Sequence, residues 1–211
     1  MSSTSNRRER ERAQRHRLIL TVARELAEAE SWDAVTTRRL AERVEYSQPV
    51  LYSHFKDKDA IVAAVAEEGF TELAILLRRA RTAARGRDPQ RGPRAVCRAY
   101  LRFAVEHPAL YQAMFVMPTQ LKFASDDTPP ALLAAFDAFV EALPQDTAER
   151  EARAELLWAA LHGICALSAT GRVAAQGEKT RLDLLINGIA PKDSRSTPSG
   201  GQSNAASLSH P

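Results

Sequence analysis

The chain predicts an all-α fold, and three observations carry that prediction. Apolar residues recur at i, i+3 and i+4 through most of its length, the period of a helix with one buried face. No stretch alternates polar and apolar residues for long enough to read as a strand. Pro and Gly punctuate the pattern where a helix has to stop, as at residues 86–93, His107-Pro108 and Pro144. About nine helices follow, divided between a small N-terminal bundle and a larger C-terminal one.

Met1 to Asn6 is polar and predicted to be disordered. Arg7 to Arg17, RRERERAQRHR, has no apolar stripe and reads either as an exposed extension of the next helix or as a flexible arm. As an arm, Arg7, Arg8, Arg10 or Arg12 could reach a phosphate or a minor groove. Ile19, Val22, Ala23, Leu26 and Ala27 then mark an amphipathic helix ending near Glu30, and Trp32 and Val35 cover a small core.

In the stretch Thr36 to Val62, TTRRLAERVEYSQPVLYSHFKDKDAIV, Leu40, Ala41 and Val44 form one stripe of a short helix that Thr36 or Thr37 can cap. Ser47 reads as a second N-cap, with Pro49 in the first turn, where its missing N–H does no harm. On this second helix, Gln48 to about Phe55, Leu51 and Phe55 can face inward. Gln48, Tyr52 and His54 are left outward, with Pro49 and Val50 at the helix start. Two short helices joined by a tight turn make a helix-turn-helix pattern. Its exposed chemistry suits a DNA major groove. Gln48 matches an adenine edge, Arg38 a guanine edge, and Pro49 and Val50 a thymine methyl. Tyr52, His54 and Lys58 are phosphate partners by type, and Lys58 sits where free helix N–H groups could share a phosphate. The bland alternative makes Tyr52 and His54 ordinary boundary residues of a helical core.

From about Arg17 to Val65, and most specifically at LYSHFKDKDAI, the chain resembles the DNA-binding domain of the tetracycline-repressor (TetR) family of transcriptional regulators. TTRRLAERV and QPVLY are similar to the tetracycline repressors themselves. The resemblance implies backbone contacts by Thr37, Tyr52, His54 and Lys58, and base reading by Arg38, Gln48, Pro49 and Val50. The family usually places Gly in the turn, and Glu45 stands there. A left-handed Glu costs about 1 kcal/mol or more. Either the turn differs, or the cost is absorbed elsewhere. Its carboxylate would also repel phosphates.

A long helix is predicted from about Asp57 to Ala84, with Ile61, Val62, Val65, Phe70, Leu73, Leu76 and Leu77 inward. It would link the DNA side to the second domain. Further helices are predicted at Ala95 to Glu106, Pro108 to Met117, Ala131 to Leu143, Asp146 or Thr147 to about Ala175, and Thr180 to Ile189. Pro118 to Pro130 is a loop whose Asp126-Asp127 pair reads as solvated, with no His or Cys nearby to complete a metal shell. Pro191 onward is Ser/Gly/Pro-rich and reads as a disordered tail. The domain reading is an arm at 1–16, a DNA-binding domain at 17–62, a ligand-binding and dimerisation domain at 63–190, and a tail at 191–211.

Glu155 to Arg172, ELLWAALHGICALSATGR, resembles a C-terminal domain type of TetR regulators named for a Trp, His and Gly at this spacing. HPALYQAMF, residues 107 to 115, resembles an earlier segment of that domain. Trp158, His162 and Cys165 lie at i, i+4 and i+7 on one helix face. That face is open to three readings: a core stripe, a metal site through His162 and Cys165, or a ligand cavity lined by Phe103, Tyr111, Met114, Phe136, Trp158 and His162. One helix-turn-helix reads few base pairs, so a two-fold dimer on a palindromic operator is expected. The interface expected on the last two helices uses Leu156, Leu157, Ala160, Leu161, Ile164 and Leu167, joined by Leu184, Leu185 and Ile189.

Composition bounds the remainder. The chain has 211 residues, 45% of them apolar, and a net charge of +3. No apolar run is long enough for a membrane span and the N-terminus has no apolar signal region, so a cytoplasmic protein is expected. Cys97 and Cys165 read as buried thiols. With no nucleophile elbow, phosphate loop or clustered metal ligands, the chain is not expected to be an enzyme or to hold a cofactor or metal. The expected function is a ligand-responsive regulator, most simply a repressor released from double-stranded DNA by an unknown small-molecule effector. The alternative is a non-specific nucleic-acid or membrane-surface protein using Arg7 to Arg17.

Overall fold

The computed structural model describes residues 3–84, 86–123, 125–174 and 176–190. Among these there are nine α-helices, a single 3-10 turn at Trp32–Ala34, and no strand. The tail expected from Pro191 lies outside the described residues.

The first helix, α1 (Ser3–Ala29), is a single element. The stretch from Arg7 to Arg17 is therefore its extension and not a separate arm, and the disorder expected through Asn6 gives way to helix at Ser3. Arg7 pairs with Glu11 at 2.8 Å one turn on, an exposed i,i+4 pair of the kind that supports solvated helices. Helices α2 (Thr37–Val44) and α3 (Gln48–His54) complete the head. Thr36 caps α2, its hydroxyl accepting the Arg39 N–H at 3.2 Å. Ser47 is the N-cap residue of α3 by backbone, with no side-chain cap bond, and Pro49 occupies the first turn. The turn between them is left-handed although it lacks Gly: Glu45 takes φ 57° and ψ 36°. The Tyr46 N–H reaches back to the Ala41 carbonyl at 3.0 Å, which satisfies an end carbonyl of α2.

Helix α4 (Lys58–Ala83) starts at an Asp57 cap whose carboxylate accepts the Ala60 N–H at 2.7 Å. It runs from the head into the body and packs on α5 (Arg91–Glu106), α6 (Pro108–Phe115) and α7 (Pro130–Ala142). Two helix starts differ from expectation. The Gly/Pro segment does not delay α5, because Gly92 and Pro93 fall in its first turn, where backbone N–H groups have no intrahelical partner. Helix α8 (Arg150–Ala169) is shorter than expected at both ends: Glu149 takes a left-handed conformation (φ 51°) just before it, and Gly171 (φ 68°) turns the chain just after it. Helix α9 (Glu178–Ile189) closes the body.

The two expected domains share one continuous apolar core, from Ile19 in α1 to Ala190. Two junctions tie head to body. The Glu28 carboxylate of α1 accepts the Ala109 and Leu110 N–H groups at 3.0 and 3.1 Å, so it caps α6 across the junction. The Trp32 indole N–H donates to the Ala109 carbonyl. Helices α4 and α6 cross at Gly69, where a Cβ would lie 2.7 Å from the Met114 sulfur and 2.8 Å from Leu110 Cδ1.

Candidate functional site

The head presents α3 outward. Leu51 and Phe55 are buried, which fixes the rotation of this short helix. Gln48, Pro49, Tyr52 and Ser53 are consequently exposed, Tyr52 by 50%, while Val50 and His54 are half-buried. Arg38 is exposed on α2 beside Glu42, its Nε 3.0 Å from the carboxylate, and Thr37 is half-buried at the start of α2. Lys58 sits differently from the expectation at the α4 N-terminus: its ammonium donates to the Trp32 carbonyl within the head. Lys56, two residues earlier and not singled out from the sequence, is exposed.

His16 on α1 stacks on Phe55 at 4.4 Å between ring centroids, and lies 6.1 Å from His54. Burial lowers the pKa of both rings; Arg12 adds to the effect at His16, and His16, Arg12 and Arg15 add to it at His54. Arg39 does structural work, forking onto Glu30 at 2.6 and 2.8 Å to tie α2 to the end of α1.

The body holds two adjoining compartments against α8. One, of about 470 Å³, is walled by Phe70 and Leu73 of α4, Leu132, Phe136 and Phe139 of α7, and Trp158 of α8. Glu155 is the one carboxylate in its lining. The other, of about 570 Å³, is bounded by Met114, Met117, Leu121 and His162. Phe115, Phe123, Trp158 and Ala159 belong to both, so the two adjoin along a shared wall as one cleft region.

Four of the six expected lining residues, Met114, Phe136, Trp158 and His162, are on this cleft. Phe103 and Tyr111 are not. Phe103 is buried and meets the His107 ring edge-on. Tyr111 stands behind the wall, its hydroxyl 2.6 Å from His162 Nδ1 and 2.9 Å from the Tyr100 hydroxyl. Sequence reasoning missed Phe70 and Leu73, whose stripe read as core, and Phe123, which lies in a loop without periodicity. Among the described residues no three His, Cys, Asp or Glu side chains gather as a metal site, and Asp127 pairs with Lys122. Burial pushes the Cys97 thiol up to about 12, and Cys165 is raised by the same cause.

The expected dimer surface divides. Leu157, Leu161 and Ile189 are buried within the protomer and are not available to a partner. Leu156 and Leu184 stand 62% and 69% exposed, with Leu167 also exposed. Gly163 and Gly188 face open space.

An exposed second helix of a helix-turn-helix, on a head joined through α4 to a larger helical body, defines a DNA-binding transcriptional regulator. Comparison with known proteins agrees. Residues 19–65 match the family model for bacterial regulatory proteins of the tetR family, and residues 94–187 match the tetracyclin repressor-like C-terminal domain. The chain belongs to the TetR family of transcriptional regulators. It is 47% identical over 53 residues to the class C tetracycline repressor protein of Escherichia coli, a match covering 25% of this chain and 24% of that one. The chain therefore spans about a quarter of the length of that curated relative. A solved structure of a protein of unknown function from Rhodococcus sp. RHA1 superposes with a TM-score of 0.68 at 26% identity, over 83% of this chain and 95% of that one. A TetR transcriptional regulator from the same organism gives 0.60 at 22% identity, over 85% and 97%, a likeness of fold. Among the described residues no helix is long and apolar enough to cross a membrane.

Proposed function

We propose that the protein is a homodimeric repressor that a small apolar molecule releases from a palindromic operator. The observation that carries this reading is the double membership of α4. Phe70 and Leu73 wall the cleft, while the N-terminus of the same helix is held to the head by Lys58, which donates to the Trp32 carbonyl. An occupant that displaces α4 would also displace α3. A difference in ligand affinity of about 1–3 kcal/mol between the DNA-competent and released states is enough for control.

In this reading Gln48, Pro49 and Val50, with Arg38, meet base edges. Thr37, Tyr52, His54 and Lys56 meet phosphates, and Lys58 does so only by leaving the Trp32 carbonyl. The partner packs on Leu156, Gly163 and Leu167 of α8 and Leu184 of α9, and the bare glycines admit close helix approach. The test is selection of binding sequences from a random duplex pool at near-physiological salt. A palindromic consensus with half-sites about one helical turn apart, roughly 34–36 Å, is expected. Enrichment of nothing, with binding that vanishes as salt rises, would leave only backbone contacts and the arginine-rich start of α1.

A further inference from the structure

The polar end of the cleft has a defined proton arrangement, and that arrangement selects a ligand chemistry. Tyr100 is fully buried, and its hydroxyl has the Tyr111 hydroxyl as its hydrogen-bond partner. For its own proton Tyr100 has Tyr111 as the acceptor, and leaving that proton unpaired in the core would cost about 1–3 kcal/mol. Tyr111 therefore accepts from Tyr100 and sends its proton onward. The onward acceptor is His162 Nδ1 at 2.6 Å. Burial lowers the His162 pKa, so near neutral pH the ring keeps a single proton. With Nδ1 accepting, that proton sits on Nε2. His162 then presents a fixed N–H donor to a compartment whose lining contains no carboxylate.

We propose that the cleft takes an elongated apolar molecule ending in a carbonyl-type oxygen (ketone, ester or carboxylate), which accepts the His162 Nε2–H while the apolar body passes Trp158 into the aromatic compartment. The assignment rests on reading the cleft as the effector site. It makes His162 the specificity-determining residue, and Tyr100 and Tyr111 positioning residues that fix its tautomer. An amine in place of the oxygen would oppose donor to donor.

The first arm of the test is nitrogen NMR of the full chain with labelled histidine; five histidines are present, and His162→Gln assigns the signal. The Nε2–H tautomer is expected at His162, and the Nδ1–H tautomer would overturn the proposal. The second arm measures binding of 2-decanone, decanoate and decylamine by calorimetry. Both oxygen-bearing probes are expected to bind at least about tenfold tighter than the amine, the discrimination a site built to hydrogen-bond its ligand shows. His162→Gln, whose amide N–H falls near the Nε2 position, should keep the preference. His162→Leu should abolish it, and Tyr111→Phe should weaken it, with helix content checked by circular dichroism. Equal affinity for all three probes, binding by none, or a preference that survives in His162→Leu would each sink the proposal. Decanone and decanoate separate neutral from anionic ligands, since the carboxylate alone should raise the His162 pKa. The DNA selection uses the protein without any probe, so failure here leaves the regulatory reading to be judged separately.

Discussion

The indole N–H of Trp32 donates to the main-chain carbonyl of Ala109 across 2.7 Å, joining the head to the first turn of α6. Ala109 also gives its N–H to Glu28, so one residue of the cleft-bearing body is held twice by the head. Helix α6 carries Met114 and Phe115 on the cleft wall. In the proposed function this junction would couple the cleft to the head beside α4. Trp32→Phe keeps the packing and loses the bond, and should cost about 1 kcal/mol; Glu28→Ala uncaps α6 and should cost about 1.5–3 kcal/mol. Urea unfolding measures both, and amide hydrogen exchange in α6 should quicken more in Glu28→Ala.

Glu45 holds the left-handed position that glycine usually fills. Glu45→Gly should remove strain of about 1–2 kcal/mol, partly offset by the entropy glycine brings to the unfolded chain of about 0.5–1 kcal/mol. The net rise in melting temperature should be about 2–4 °C per kcal/mol recovered. Removing a negative charge from the DNA side should also tighten binding at low salt. A lower melting temperature would mean the Glu45 side chain contributes something the backbone strain conceals.

Gln48 and Lys56 are assigned different tasks, and salt separates them. Gln48→Ala should lose about 1–3 kcal/mol at one base position with the salt slope unchanged. Lys56→Ala should weaken all sequences alike and lower the slope by about one counterion. Lys58→Ala should show the smaller slope change of the two lysines, because Lys58 is engaged by Trp32. Equal slopes for Gln48→Ala and Lys56→Ala would refute the division.

The His16 and His54 rings have pKa values pushed below the ordinary imidazole value, chiefly by burial. On acidification the unfolded chain therefore takes up protons first. The stability present above about pH 6.5 is lost as pH falls through that value, and the loss levels off below the folded pKa. Unfolding midpoints at about pH 7.5 and pH 5.5 should show the drop, reduced in His16→Gln. Operator affinity should run the other way, since a phosphate against His54 would favour the protonated ring. His54→Gln should flatten that dependence.

Leu156 and Leu184 are the large apolar side chains most exposed on α8 and α9. Leu156→Glu or Leu184→Glu should give a folded monomer by sedimentation and lose palindrome binding. A dimer that persists in the double variant would move the interface elsewhere.

The head was legible because its signals are local. The Thr36 cap, Pro49 in a first turn, the Leu40, Ala41 and Val44 stripe and the strained position of Glu45 are each fixed by a few neighbouring residues. The cleft was legible only in part. A helix stripe says which residues turn inward but not whether they meet a neighbour or a void, so Phe103 and Phe136 looked alike, and only Phe136 borders the cleft. Tyr111 was expected on the lining and stands behind it, its hydroxyl 2.6 Å from His162 Nδ1. The start of α8 was misread because Asp146 and Thr147 are both able caps, while a left-handed Glu149 carries no composition signal. On α8 and α9 the apolar surplus was visible, but its division between core and outer face depends on rotations set by α5 and α7.

Gly69 leaves no clearance between α4 and α6, and what a new methyl there would strike is the Met114 sulfur and the Leu110 tip, both movable ends of side chains. The crossing would survive alanine by pushing these side chains aside, and Met114 borders the His162 compartment. Position 69 is thus a tuning screw set into the back of the cleft. In the proposed function, a change there would reshape the space offered to the effector while every residue facing it stays the same.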